Sequence, residues 1–306
     1  MKKLSILVAL ITDDNDFQRE QASVAETTAR KLDLDVKIIY AGNDGVNQSL
    51  QLVQAIQASP DLRPDAIIVE PVGTTMSQVG HAAALAGIGW VVLNRNIDYA
   101  GELRRKCSCP VFSLSSNNEG VGRIQGEQLN ALLPGGGNVL YVEGPSTSEA
   151  ARDRTVGMLS VKRSNMEVKV LKGDWTETGA YNAVKSWLRL STSRELKIAV
   201  VGCQNDAMAL GTRRAIQESV EGNERERLLN LPFTGCDGVP SKGQAYVQRG
   251  TLAATVVTPP MTGQALEMLT SAIRSKTQPP EHTFTIATSY PSISELGAKH
   301  RSSSTH

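Results

Sequence analysis

The sequence has almost no excess of charge of either sign and no long hydrophobic run. Its 32 basic and 31 acidic residues give a formal net charge of +1, so the chain lacks the field that attracts nucleic-acid phosphates or anionic lipids. No apolar run approaches the ~20 residues needed to cross a bilayer. These absences argue against a nucleic-acid partner and against direct membrane insertion, and they favour a neutral ligand.

Clustered metal ligands are also lacking. The histidines are scattered along the chain, whereas a zinc site needs a group of thiolates and imidazoles. The cysteines are Cys107, Cys109, Cys203 and Cys236. The first two are too close in sequence for an easy mutual bridge, and the other two each end an apolar run. We expect reduced cysteines that serve as small hydrophobic side chains, with no metal and no cofactor.

Signatures of common α/β enzymes are missing as well. No Gly-x-Gly-x-x-Gly motif follows the first apolar run, and no Gly-x-Ser-x-Gly elbow is present. "GVGRIQG" at 120–126 has the wrong spacing and falls within a predicted helix, while "PGGG" at 134–137 is typical of a helix end and loop. We predict a protein without catalytic residues.

The N-terminal stretch "MKKLSILVALITDDND" imitates a secretory signal, because two lysines precede an apolar run. The run passes directly into polar residues, and no small-x-small cleavage site follows it. We therefore interpret it as a first strand that ends in a polar turn.

Short apolar segments rich in branched residues alternate with amphipathic segments of helical length along all 306 residues. "LSILVALIT" and "LKIAVVGC" are typical strands, and "FQREQASVAETTARKLD" is a typical helix. Near-continuous hydrophobic strands spaced by helices predict parallel sheets covered on both faces, and the length favours two domains. The predicted fold is α/β, with two doubly wound parallel-sheet lobes joined by a multi-strand hinge.

The predicted lobe boundaries follow polar turns that end apolar strands without a long linker. The N-terminal lobe comprises residues 1–115 and 258–286, and the C-terminal lobe comprises 116–257 and 287–306. We expect a ligand cleft between the two lobes.

Polar and aromatic residues follow the predicted strands, at the edge where open parallel sheets bind ligands. The candidate ligand-binding residues are Asn15, Phe17, Asn94, Arg95, Arg154, Trp175, Asn205, Asp237 and Thr258. Their amide, carboxylate and guanidinium groups suit hydroxyls, which donate and accept hydrogen bonds at once. The aromatic rings offer an apolar face. A sugar ring presents both kinds of surface.

Each candidate has a second, purely structural interpretation. Asn and Asp after a strand are favoured as helix N-caps and in turns. Asp206 is a candidate cap for the helix that begins "AMALG", and Asp14 for the first helix. Arg154 suits a solvated helix face, and Trp175 suits a surface hydrophobe. The binding interpretation is favoured over the structural one because so many such residues fall at the same edge of the predicted sheets.

Several segments, in family order, resemble the type I periplasmic binding proteins for monosaccharides, the ribose and galactose group. The same fold forms the effector domain of lactose-repressor-type regulators. The segments are "DDNDF" (13–17), "VVLNR" (91–95), "SEAARDR" (148–154), "QNDAMALG" (204–211), "GCDGVP" (235–240) and "GTLAATVV" (250–257). The resemblance covers nearly the whole chain and implies the periplasmic binding protein-like I fold.

The resemblance also implies roles for individual residues. Those that bond the sugar hydroxyls and ring oxygen are Asn15, Asn94, Arg154, Asn205 and Asp237, and Phe17 and Trp175 sandwich the ring. The chain departs from ribose binders at Asn94, where they carry Asp, and at Gln18, where they carry a second aromatic. Thr258 stands where the family usually has Gln or Asn. These departures leave the identity of the sugar open.

The function implied is non-catalytic capture of a monosaccharide in the interlobe cleft with hinge closure. The chain would be the solute-binding component of an ABC-type sugar transporter or a chemosensory system, with a membrane permease or sensor as partner. The alternative is a cytoplasmic sugar-sensing protein related to repressor effector domains. It would lack a DNA-binding headpiece, because the first strand starts near residue 4. The family implies the periplasm or cell envelope, and the cytoplasm is the alternative because no cleavage site is evident.

Overall fold

The computed structural model describes residues 3–73 and 76–303. The chain divides into two compact units. Unit 1 is formed by Met1–Ser116 and Pro260–Thr285, and unit 2 by Asn117–Pro259 and Ile286–His306. The chain therefore passes from one unit to the other after Ser116, after Pro259 and after Thr285.

Unit 1 consists of a six-stranded sheet and its helices. The strands are β1 (Ser5–Leu10), β2 (Asp35–Tyr40), β3 (Ala66–Val69), β4 (Gly89–Leu93), β5 (Val111–Ser116) and β11 (His282–Thr285). The helices are α1 (Asp16–Leu32), α2 (Gly45–Gln57), α3 (Ser77–Leu85), α4 (Ala100–Lys106) and α12 (Met261–Ser275).

Unit 2 has a second six-stranded sheet. Its strands are β6 (Gly137–Glu143), β7 (Met166–Lys172), β8 (Ile198–Cys203), β9 (Phe233–Asp237), β10 (Ala254–Val257) and β12 (Thr288–Tyr290). Its α-helices are α5 (Asn118–Leu132), α6 (Glu149–Val161), α7 (Glu177–Leu188), α8 (Ser191–Glu195), α9 (Asp206–Ser219), α10 (Gly222–Leu229), α11 (Ala245–Gln248) and α13 (Ile293–Ser303), and a π-helical turn spans Pro240–Gln244.

The two sheets have matching strand orders. In unit 1 the order is β11-β5-β4-β3-β1-β2 with every neighbouring pair parallel. In unit 2 the order is β12-β10-β9-β8-β6-β7, and only the edge strand β12 runs antiparallel, against β10. The predicted class of two parallel-sheet α/β lobes is confirmed, with one antiparallel edge strand that the sequence pattern did not predict.

Strand β1 shows why the predicted strands read as continuous apolar runs. Successive side chains of a strand point to opposite faces. Ile6 and Val8 belong to the hydrophobic cluster on one face of the sheet, and Leu7 and Ala9 to the cluster on the other. Because helices cover both faces, both sets of side chains in the buried part of the strand are apolar, since a buried polar side chain would need a hydrogen-bond partner.

The parallel arrangement determines where the candidate site residues lie. The carboxyl ends of parallel strands meet at one edge of their sheet, so the residues that follow β1, β3 and β4 share an edge in unit 1. Those that follow β6 to β10 share an edge in unit 2. None of the described helices is long and apolar enough to cross a membrane.

Candidate functional site

In unit 1 the turn after β1 holds the first two candidates. Asn15 is the N-cap of α1, and its Oδ1 accepts a hydrogen bond of 2.8 Å from the backbone N–H of Gln18. The predicted cap Asp14 is therefore wrong, because the helix begins one residue later. Phe17, in the first turn of α1, is half-buried against the hydrophobic cluster beneath the helix.

Asn94 is the first residue after β4 and has a left-handed backbone, with φ of 60°. Asn tolerates this conformation better than most residues. Its side chain is exposed, and its Nδ2 donates a hydrogen bond of 3.1 Å to Oε1 of Glu70. Arg95 follows and is half-buried.

Glu70 is a buried carboxyl at this edge that the sequence analysis missed. It follows β3 directly, is 2% exposed, and accepts a second hydrogen bond of 2.8 Å from Nε2 of Gln18. Burial raises the pKa of Glu70, while hydrogen bonds from Gln18 and Asn94 and the charge of Arg95 oppose that shift. Glu70 thus connects the turn after β1 with the turn after β4, and the signal for it was a carboxylate closing the apolar run "AIIVE".

In unit 2 Arg154 lies on α6, whose N-cap is Ser148. The arginine is 9% exposed, so it does not lie on a solvated helix face. Its Nε donates to Oδ1 of Asn118 at 3.0 Å, and its Nη1 donates to the carbonyl of Gln204 at 2.6 Å. These two bonds fix the plane of the guanidinium group.

Trp175 lies between β7 and α7 with a φ of 72°. Its half-buried ring packs against the backbone of Gly144, where an added Cβ would meet ring atom Cζ2 at 2.3 Å. The guanidinium carbon of Arg154 lies 5.4 Å from the ring centroid, within the range of a cation–π contact. Indole and guanidinium therefore form one composite surface.

Asn205 is the N-cap of α9 and is 7% exposed. Its Oδ1 accepts from the N–H of Met208 at 2.8 Å, and its Nδ2 donates to the carbonyl of Trp175 at 2.9 Å. The predicted cap Asp206 is wrong. The Asp206 carboxylate is buried and accepts hydrogen bonds from Oγ1 of Thr255 and from the N–H of Gly238.

Asp237 and Thr258 lie side by side at the ends of β9 and β10. Asp237 has a φ of 99°, and its carbonyl accepts a hydrogen bond of 3.1 Å from the N–H of Thr258. The Thr258 hydroxyl is buried and lies 3.4 Å from the same carbonyl oxygen. The unusual backbone at Asp237 corresponds to that of Asn94, which follows the matching strand of unit 1.

A buried polar network supports the unit 2 edge, and the sequence analysis missed it. The Gln204 side chain accepts from the N–H of Gly144 and donates to the carbonyl of Ala151 and to Oγ1 of Thr155. Thr155 in turn donates to Glu143, which forms an ion pair with Lys172. Glutamine after a strand gives no distinctive sequence signal, so only the structure reveals this role.

The structure thus brings Arg154 and Asn205 each into contact with Trp175 and pairs Asp237 with Thr258. In unit 1 it connects Asn15 and Asn94 through Gln18 and Glu70. That these residues contact a ligand stays a prediction.

Two α/β units in one chain, each with hydrogen-bonding side chains at the carboxyl edge of its sheet, define the class of solute-binding proteins. The profile of the periplasmic binding protein domain matches residues 6–277, and the chain belongs to this family. The family predicted from the sequence is confirmed. Membership also confirms the prediction of a non-catalytic protein, since family members are solute-binding proteins.

Relatives and solved structures agree with this assignment. The galactofuranose-binding protein of Escherichia coli is 24% identical over 94% of this chain and 87% of its own length. The ribose import binding protein of Salmonella typhimurium is 25% identical over 84% of this chain and 79% of its own length. A periplasmic solute-binding protein of an ABC transporter from Actinobacillus succinogenes, solved with D-allose, shares the fold. It has a TM-score of 0.80 and 21% identity, and the alignment covers 94% of this chain and 97% of the other.

Proposed function

We propose that this chain binds a monosaccharide as the solute-binding component of an ABC-type sugar transporter. The observation that carries the proposal is that Trp175 contacts both Arg154, through its ring, and Asn205, through its backbone carbonyl. A charged donor, an aromatic face and an amide are held together at one sheet edge. The relatives named for galactofuranose and ribose support the same class of ligand.

Arg154 and Asn205 have N–H groups beyond those used in the hydrogen bonds described above, and these can donate to ligand hydroxyls. Arginine has five N–H donors, of which Arg154 uses one on Nε and one on Nη1 in the hydrogen bonds to Asn118 and Gln204. Asn205 uses its oxygen for the helix cap and donates from Nδ2 to Trp175, and Nδ2 carries a second hydrogen. In this proposal Arg154 and Asn205 donate to sugar oxygens while a face of the sugar packs on Trp175.

The proposal assigns candidate ligand contacts to each unit. Asn15, Asn94 and Arg95 contribute from unit 1, Asp237 and Thr258 join the unit 2 cluster, and Phe17 and Trp175 pack on the two faces of the ring. Support comes from the matching placement of Asn94 and Asp237, each with a positive φ at the end of a corresponding strand.

A thermal-shift panel of pentoses, hexoses and inositols tests the ligand class. A ligand that binds only the folded state stabilises it by about 2.7 kcal/mol at one hundred times its Kd. We expect at least one sugar to raise the Tm. A panel in which no sugar does so, while a nucleotide such as NAD does, would refute the proposal.

Variants then test the site with the sugar that shifts most. Asn205→Ser keeps an oxygen for the helix cap but loses the amide donors, so we expect weaker binding with little loss of stability. Asn94→Ala tests the unit 1 edge. The matched control is Asn138→Ser, because Asn138 lies at the opposite end of β6 and bonds only the carbonyl of Lys197. Loss of one hydrogen bond, about 0.5–1.5 kcal/mol, raises Kd by about two- to twelvefold. Unchanged binding in both site variants would contradict the assigned residues.

The partner in this proposal is a membrane permease. Several relatives are named as import binding proteins. Deleting the gene should abolish uptake of the sugar identified by the thermal-shift panel, and restoring the wild-type chain should recover it. Uptake that persists at the wild-type rate would argue against a transport role.

A further inference from the structure

The short connection between α4 and β5 carries two thiols in contact. Cys107 is the C-cap of α4, and Cys109 precedes the proline before β5. Their Sγ atoms lie 2.7 Å apart. Both cysteines are free, as are Cys203 and Cys236. The sequence suggested that Cys107 and Cys109 are too close along the chain to pair, yet the fold directs both sulfurs to one point.

Hydrogen bonds hold this connection in place. The N–H of Cys107 donates to the carbonyl of Leu103 at 3.0 Å, which continues the last turn of α4. Gln278 donates from Nε2 to the carbonyl of Cys109 at 2.7 Å and accepts from the N–H of Val111 at 3.1 Å. These bonds hold the backbone on both sides of the two thiols.

The two thiols differ in access. Cys107 is half-buried, whereas Cys109 is 9% exposed and belongs to the hydrophobic cluster under α3. Burial raises the pKa of Cys109 to about 12, and its hydrogen bond with Cys107 acts in the same direction. A reagent in solution therefore meets Cys107 first.

We propose that Cys107 and Cys109 form a reversible intrachain disulfide by exchange with low-molecular-weight disulfides. The Cys107 thiolate attacks a disulfide RSSR, forms a mixed disulfide and releases one thiolate RS⁻, which takes up a proton. Cys109 then loses its proton and attacks Sγ of Cys107, and the second RS⁻ leaves. In sum the protein dithiol is oxidised to a disulfide and RSSR is reduced to two RSH.

The geometry favours closure of the ring over a lasting mixed disulfide. A disulfide needs a sulfur separation of about 2.05 Å, so the thiols need to approach by less than about 1 Å. Cys109 is held beside the sulfur that it attacks, and such positioning raises its effective concentration far above that of free thiols in solution. Exchange proceeds through the attack of a thiolate on a disulfide sulfur.

The test uses the folded chain and glutathione disulfide. After incubation the protein is acid-quenched, denatured and alkylated, and its intact mass is measured. We expect the alkylated thiols to fall from four to two, with no glutathione adduct and with a linked peptide that contains Cys107 and Cys109. Dithiothreitol should restore four alkylated thiols. Cys203 and Cys236, fully buried in unit 2, serve as internal controls that stay reduced.

Two variants separate the steps. Cys109→Ser should accumulate a stable glutathione adduct on Cys107, because the second thiol is gone. Cys107→Ser should react at least tenfold more slowly than Cys109→Ser, because its remaining thiol is buried. Four alkylated thiols in the oxidised wild type, or a lasting adduct on its Cys107, would overturn the proposal.

Discussion

Gly144→Ala gives the sharpest prediction for the unit 2 edge. An added Cβ would lie 2.3 Å from Cζ2, 2.4 Å from Cε2 and 2.7 Å from Cη2 of Trp175. Ordinary carbon–carbon contacts are ~3.5–4.0 Å, so the ring has to withdraw by about 1–1.5 Å. Gly144 keeps its backbone hydrogen bond to Gln204 in the variant, because alanine retains the N–H.

The displacement should affect ligand binding more than folding. Overpacking a core costs about 1–3 kcal/mol, but the ring of Trp175 is half-exposed and can move outward. We expect a loss of unfolding free energy at the lower end of that range. Aromatic contacts contribute ~0.5–1.5 kcal/mol beyond buried area, which corresponds to about a two- to twelvefold rise in Kd. The same movement changes the cation–π contact with Arg154, which is 5.4 Å in the wild type.

Calorimetric titration with the sugar found by the thermal-shift panel measures the affinity. Quenching of tryptophan fluorescence by iodide measures the exposure of the Trp175 ring. Trp90 and Trp187 are buried, so the quenchable fluorescence comes from Trp175. We expect increased quenching in Gly144→Ala. Gly135→Ala is the matched control, because nothing lies within 4 Å of its added Cβ. Wild-type affinity together with wild-type quenching in Gly144→Ala would refute the packing argument.

Two further predictions concern buried carboxyls. Asp206→Ala leaves the Thr255 hydroxyl and the Gly238 N–H without their acceptor, so we expect a loss of about 2–5 kcal/mol in urea unfolding, against under about 0.5 kcal/mol for the exposed control Asp153→Ala. An equal loss in both variants would contradict the role of Asp206. The raised pKa of Glu70 means that the folded state binds more protons than the unfolded state. Its contribution to stability therefore falls as pH rises above ~4.3 through the raised value. In Glu70→Gln the unfolding free energy should fall less with rising pH than in the exposed control Glu127→Gln. Parallel stability–pH curves for the two variants would rule out this role of Glu70.

The fold was predictable where burial makes the sequence repetitive. Strands covered on both faces read as apolar runs, and β1, β3, β4 and β8 all carried that signal. The short edge strands β11 and β12 did not, because "HTFT" and "TSY" are polar and lie beside only one neighbour each. Helix α10, "GNERERLL", buries only Leu228, so its sequence has no apolar face that would predict a helix.

The candidate residues could be chosen from the sequence, but their contacts with one another could not. Strand ends identify the edge, which is why Asn15 and Asn205 could be singled out. Whether Asn205 or Asp206 caps α9 depends on a single residue of register, and the sequence favoured the wrong one. The side-chain partners of Gln204 lie 49–60 residues away along the chain. Those of Glu70 lie 24–52 residues away. No local pattern encodes such distant pairings.

Structural anchoring leaves atoms of the same side chains available for the proposed ligand. In Asn205 the oxygen serves the helix, while Nδ2 holds the Trp175 carbonyl and keeps a second hydrogen. Arg154 is fixed by Asn118 and Gln204 before any ligand arrives. Ordering a free arginine costs up to ~2 kcal/mol, and an anchored one spares the ligand that cost. If the proposed site is right, affinity should therefore depend on Asn118 and Gly144 even without direct contact, because Asn118 holds Arg154 and Gly144 leaves room for the ring of Trp175.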